Sequence, residues 1–159
     1  MVHLLWRYLR ASHLLRQHDH ATERWLARFA SVDPRTLPDF ELWSVVDAWT
    51  NDAPNYMKTV RLFDNVTFRE TSVRKAWRER VRSDLVRVLG AVRRWHLALA
   101  DRFVERGWLD TRDDYFLLHL GEIAAIVNGQ RPSNTLREIV AARQRESFDE
   151  RKRAGLAPT

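Results

Sequence analysis

The sequence predicts an all-α protein, a bundle of about five to seven helices that includes one or two long ones and a short extended strap near residues 115–118. Three observations carry this. Only 5 Gly and 5 Pro occur in 159 residues, leaving few places to break an element. Long runs of Arg, Leu, Ala, Glu and Val favour helix. Apolar residues recur at three- and four-residue intervals over most of the chain. With 45% hydrophobic and 30% charged residues, the composition is that of a folding domain. The length fits one helical domain over 1–155, with 156–159 as a C-terminal linker stub.

Leu5, Tyr8, Ser12 and Leu15 set one face of a first helix over residues 4–17. His18, Asp19 and His20 are read as a surface turn that interrupts it. Thr22 then caps a short second helix with Trp25, Leu26 and Phe29 as its apolar patch, and Asp33–Pro34 marks a new start. Pro38, Asp39 and Glu41 suit the first turn of a third helix with the stripe Leu42, Val45, Val46 and Trp49, which Asn51–Pro54 is expected to end.

From Asn55 no Gly or Pro intervenes before Gly90, which predicts one long helix or two in line. Its seam runs Tyr56, Val60, Phe63, Thr67, Glu70, Arg74, Trp77, Val81 and resumes at Val88, Val92, Trp95, Leu99 and Phe103. The middle of that seam is polar. Buried charges persist only when paired, so Arg69, Glu70 and Arg74 are read as an ion-pair network that fixes helix register, with an acceptor-facing role as the alternative.

Gly107 is placed for a helix C-cap, and the polar turn 109–114 leads to the apolar run Tyr115–Leu118. A helix resumes at Glu122 and stops at Asn128–Gly129. A last helix starts near Ser133 or Asn134, buries Leu136, Ile139, Val140 and Phe148, and ends on Arg151, Lys152 and Arg153, whose charges suit its C-terminal dipole.

The function classes that leave sequence marks find none here. Zero Cys removes disulfides, thiolate metal sites and cysteine nucleophiles, and fits a cytoplasmic protein. Arg7, Arg10 and Arg16 break the apolar start before it could form a signal core or span a bilayer, so a soluble, non-exported protein and no membrane partner are expected. No phosphate-cradling loop, dinucleotide turn or nucleophile elbow occurs. His13, His18, His20 and Asp19 have the composition of a metal site without its spacing, and isolated His96 and His119 read as packing residues. Asp113–Asp114 reads as a capping pair with no base or nucleophile beside it. No catalytic, cofactor-binding or metal-ligating residue is therefore expected.

A net charge of +6 with seven Trp would suit single-stranded nucleic acid. Helical spacing, however, assigns Trp43, Trp49, Trp77 and Trp95 to a core.

One longer pattern does point somewhere. Arg69–Glu70, Arg74, Arg87 and Gly90 are followed by Phe103–Val104–Glu105–Arg106–Gly107–Trp108–Leu109, then by Asp113–Asp114–Tyr115–Phe116–Leu117–Leu118 and Glu122–Ile123. This order resembles the helical region of the phosphoenolpyruvate synthase and pyruvate phosphate dikinase family, including rifampicin phosphotransferases. It covers residues 63–155. His119 and Gly121 stand where the family tends to place a Ser or Thr cap and an acidic residue, which predicts a weaker helix start there.

The resemblance implies a non-catalytic linker or acceptor-side domain, fragment or split subunit of an ATP-dependent phosphotransferase. It implies ATP-grasp and swivelling phosphohistidine domains as partners in cis or trans, with ATP and Mg bound on those domains and not on this chain. Pro158 falls near where the swivel linker would begin. The alternatives are a basic helical nucleic-acid-binding module and a protein-interaction adaptor.

Overall fold

A computed structural model of the chain describes the backbone of residues 2–65 and 71–153 and the side chains of residues 12–61 and 75–153. Five α-helices occur among the described residues: α1 (Val2–Ala30), α2 (Asp39–Asn65), α3 (Thr71–Glu105), α4 (Leu120–Val127) and α5 (Leu136–Arg153). No strand occurs among them, and the fold is an all-α bundle. The chain forms two compact units, residues 1–37 with 44–95, and residues 38–43 with 96–159.

In the first unit α1 pairs with α2 and α3 from His18 to Phe29. Thr22 meets Tyr56 and Trp25 meets Asp52, so α1 and α2 run antiparallel. Asp19 meets Arg80 and Phe29 meets Trp95, so α1 and α3 run parallel. It follows that α2 and α3 are antiparallel, and the expected two helices do not continue in line.

The predicted break at His18–His20 is absent, and α1 runs through it. His18, Thr22, Trp25 and Phe29 recur at four, three and four residues on the buried side. A helix continues where its inward polar groups find partners, and those of His18 and Thr22 do. Thr22 is a mid-helix residue, not a cap.

The expected stop at Pro54 also fails, because α2 runs to Asn65. Pro54 costs one backbone hydrogen bond, but its ring lies on the exposed side. Leu42, Val46, Trp49 and Tyr56 keep the opposite side buried on both sides of it.

Aromatic rings fill the centre of the first unit. Trp25 packs edge-on to Trp49 at 5.2 Å and stacks on Phe29 at 5.5 Å, and Phe29 reaches Trp95 at 5.8 Å. The Phe29 carbonyl in the last turn of α1 has no partner within its helix. It accepts from Trp95 Nε1 at 3.2 Å and Arg94 Nη2 at 2.9 Å, so α3 caps α1.

The second unit is built on helix ends. Gly107 ends α3 at φ +69°, with its N–H on the Val104 carbonyl and the Trp108 N–H on the Phe103 carbonyl, each at 2.8 Å. These are the paired bonds of a Schellman cap, and the accompanying apolar contact is Phe103 against Trp108. Gly129 ends α4 in the same manner at φ +67°.

Residues Asp113–Leu117 form a 3-10 helix, correcting the extended strap expected there; only Leu118 takes the extended conformation. The reason is local. Thr111 N–H donates to Asp114 Oδ2 at 2.8 Å and Asp114 N–H to Thr111 Oγ1 at 3.4 Å, a reciprocal pair that closes a helical turn.

The start of α4 also differs from expectation. His119 is the N-cap, and its N–H donates to Glu122 Oε2 at 2.8 Å, so the acid three residues on supplies the cap. On α5, Leu136 and Val140 are buried as expected, while Ile139 is only half-buried. Phe148 is 57% exposed, contrary to expectation.

Candidate functional site

Two constellations of polar side chains are built into the fold, one in each unit. In the first unit His18 is fully buried between α1, α2 and α3. Its Nδ1 lies 3.1 Å from Thr59 Oγ1, and Thr59 itself donates to the Tyr56 carbonyl at 2.6 Å. Thr59 oxygen therefore accepts from a protonated Nδ1.

On the other side of the ring, Nε2 lies 3.5 Å from Thr22 Oγ1 and 3.7 Å from Asp84 Oδ2. Thr22 in turn meets Tyr56 Oη at 3.1 Å. Asp84, itself buried, receives Arg87 at 3.2 Å.

Burial lowers the His18 pKa below its ordinary value, outweighing the pull of Asp84 and Asp19 toward the charged form. Burial likewise raises the Tyr56 phenol. A hydroxyl, an imidazole and a carboxylate stand in sequence here, but Thr22 is 2% exposed and has no approach for a substrate. What the arrangement does chemically is hold a neutral imidazole inside a helix junction.

The histidine-rich stretch is thereby resolved. His18 points inward while His13 and His20 are exposed, and His13 bonds Gln17 at 2.9 Å. They do not converge. Among the described residues no group of three or more His, Cys, Asp or Glu could hold a metal ion.

The second constellation centres on Arg143 of α5. Its guanidinium donates to both Glu122 oxygens, at 2.8 and 2.9 Å, and to the Leu117 carbonyl. One side chain thus ties α5 to the end of the 3-10 turn and the first turn of α4. Burial alone would raise the Glu122 pKa, but the hydrogen bonds from Arg143 and the His119 N–H outweigh it and hold the carboxyl below its ordinary value.

Beside it Gln144 donates to Asp114 Oδ1 at 2.9 Å. Tyr115, 1% exposed, places its hydroxyl 2.9 Å from His96 Nδ1. Burial lowers the His96 pKa and raises that of Tyr115. At the start of α2, Asp39 receives both Arg102 and Arg106, and their hydrogen bonds hold it below its ordinary pKa against the opposing effect of burial.

Asp113 and Asp114 lie in the first turn of the 3-10 helix, and the partners of Asp114 are Thr111 and Gln144, neither of them a base. Of the tryptophans assigned to a core, Trp43, Trp49 and Trp95 are buried and Trp77 is half-buried. Arg69 and Glu70 lie outside the described residues. Arg74 lies in α3 with its side chain outside them.

Arg143 went unnoticed in the sequence, although it sits three residues after Val140 and seven after Leu136 on the buried stripe of α5. A lone cation in that register marks an internal carboxylate partner.

No helix of the described residues is long and apolar enough to cross a membrane. No family model, curated protein or solved structure matches the chain.

Proposed function

We propose that this chain is the helical, non-catalytic domain, linker or acceptor-side, of a phosphoenolpyruvate-synthase-like phosphotransferase. In this reading the protein is cytoplasmic and works with ATP-grasp and swivelling phosphohistidine domains that carry ATP and Mg. One observation supports it most. The later residues of the resemblance are joints of one structural unit: Gly107 closes α3, Asp114 holds Thr111 across the following turn, Tyr115 fills the core, and Glu122 sits in the first turn of α4 and holds Arg143. Such joints would preserve a family signature through architecture alone, without a catalytic side chain.

The test is reconstitution. The reading frames beside this one are expressed with the chain, and transfer of label from ATP to a histidine and then to an acceptor is followed. The proposal expects ATP-dependent histidine labelling from the neighbours and acceptor labelling only when this chain is present. Neighbours that encode neither domain, or acceptor labelling indifferent to this chain, would overturn it.

A further inference from the structure

Glycine in a helix interior costs about 1 kcal/mol relative to alanine, and a chain tolerates it where something must come close to the backbone. Gly90 sits in the middle of the 35-residue α3, is exposed, and a Cβ built on it would meet nothing within 4 Å. Among the described residues nothing uses the space.

Four residues earlier Val86 is 63% exposed, and Leu89 beside the glycine is 49% exposed. Two exposed aliphatics alone are ordinary. Here they share a helical face with the bare backbone of Gly90, and Arg82 and Arg93 bracket that face about 16 Å apart along the axis.

The charge on this stretch says what would fit. Every Lys and Arg from Lys75 to Arg94 is exposed, seven in all, whereas the acids there are Glu79 and Asp84; within the chain Arg80 pairs with Asp19, Arg87 with Asp84 and Arg94 with the Phe29 carbonyl, and the stretch keeps a basic excess. Asp84 is buried with His18 and Arg87. A second copy laid antiparallel would bring Arg82 toward the other copy's Arg93, like charge against like.

We infer that the outward face of α3 at Val86, Leu89 and Gly90 is a docking surface for an amphipathic helix of a partner protein whose apolar stripe is bordered by carboxylates. Gly90 lets the two helix axes approach closely, Val86 and Leu89 supply the apolar contact, and the arginines select the acidic border. The surface is independent of the phosphotransferase reading.

The probe is a labelled synthetic helical peptide with a Leu/Ala stripe flanked by Glu, followed by fluorescence anisotropy on the full chain. A peptide with the same stripe flanked by Lys is the control. The Glu peptide is expected to bind saturably and about tenfold more tightly than the Lys peptide, with Arg82→Glu shrinking that difference. Gly90→Ala should melt higher than wild type yet bind the Glu peptide about tenfold more weakly, because the added methyl holds the helices apart.

Absence of saturable binding, equal binding of the two peptides, or full affinity in Gly90→Ala would overturn the inference. So would self-association of the free chain that Leu89→Lys abolishes, or an oligonucleotide that binds more tightly than the Glu peptide and is indifferent to Gly90→Ala.

Discussion

His18 Nδ1 lies 3.1 Å from Thr59 Oγ1, and this one contact joins α1 to α2 inside the core of the first unit. Removing the imidazole takes a buried hydrogen-bond partner from Thr59 and from Thr22, although Thr22 keeps Tyr56. His18→Leu keeps the approximate volume and deletes both nitrogens. It should destabilise the chain by about 1–3 kcal/mol, the cost of leaving buried polar groups unmet, as read by chemical denaturation. An unchanged midpoint would mean that these groups are satisfied without His18.

The pH dependence has a definite sign. The pKa values of His18 and His96 are both lowered by burial from 6.5, so the unfolded chain takes up protons more readily than the folded one. Their contribution is fully present above pH 6.5 and drains as pH falls below it toward their folded values. Stability measured from pH 7.5 to 5 should fall, and the slope should be shallower in His18→Gln. A wild-type profile flat over that range would contradict the burial of both rings.

Much of the fold was legible, and where it was not the reason is tertiary. The helix ends at Gly107 and Gly129 could be read directly, because a left-handed φ demands glycine. The stops assigned to His18–His20 and Pro54 were propensity arguments, and long-range packing overrode both. His18 is polar by type yet falls on the register of Trp25 and Phe29, and Pro54 faces away from the buried stripe. The 3-10 turn at Tyr115 was hidden because the Thr111–Asp114 pair that closes it lies within a run of polar residues. Of the polar constellations, the Glu122–Arg143 pair spans 21 residues. A pair that distant has no local pattern, and only the register of Arg143 on its own helix hints at it.

Arg143 offers the second unit's most direct test. Arg143→Ala leaves Glu122, with a side chain 17% exposed, without its main partner, and frees the Leu117 carbonyl. The loss should be about 1–3 kcal/mol. Because the Glu122 pKa is lowered, the pair's contribution is present above about 4.5 and is lost as pH falls through the folded value. The gap between wild type and Arg143→Ala should therefore be wide at pH 7 and narrow as pH falls below 4.5. A gap independent of pH would assign the effect to lost packing instead of charge pairing.

Two glycines of the same helix should answer alanine with opposite signs. At Gly107 the backbone is left-handed at φ +69°, where a Cβ meets the following carbonyl, so Gly107→Ala should cost about 1–2 kcal/mol. At Gly90 the backbone is ordinary helix and the added methyl meets no atom, so Gly90→Ala should gain about 0.5–1 kcal/mol. Thermal melts of the two variants beside wild type decide it. If Gly90→Ala melted lower, the face around Gly90 would already be occupied in the free protein, by another molecule of the chain or by its own structure, and concentration dependence of the melt would separate those two cases.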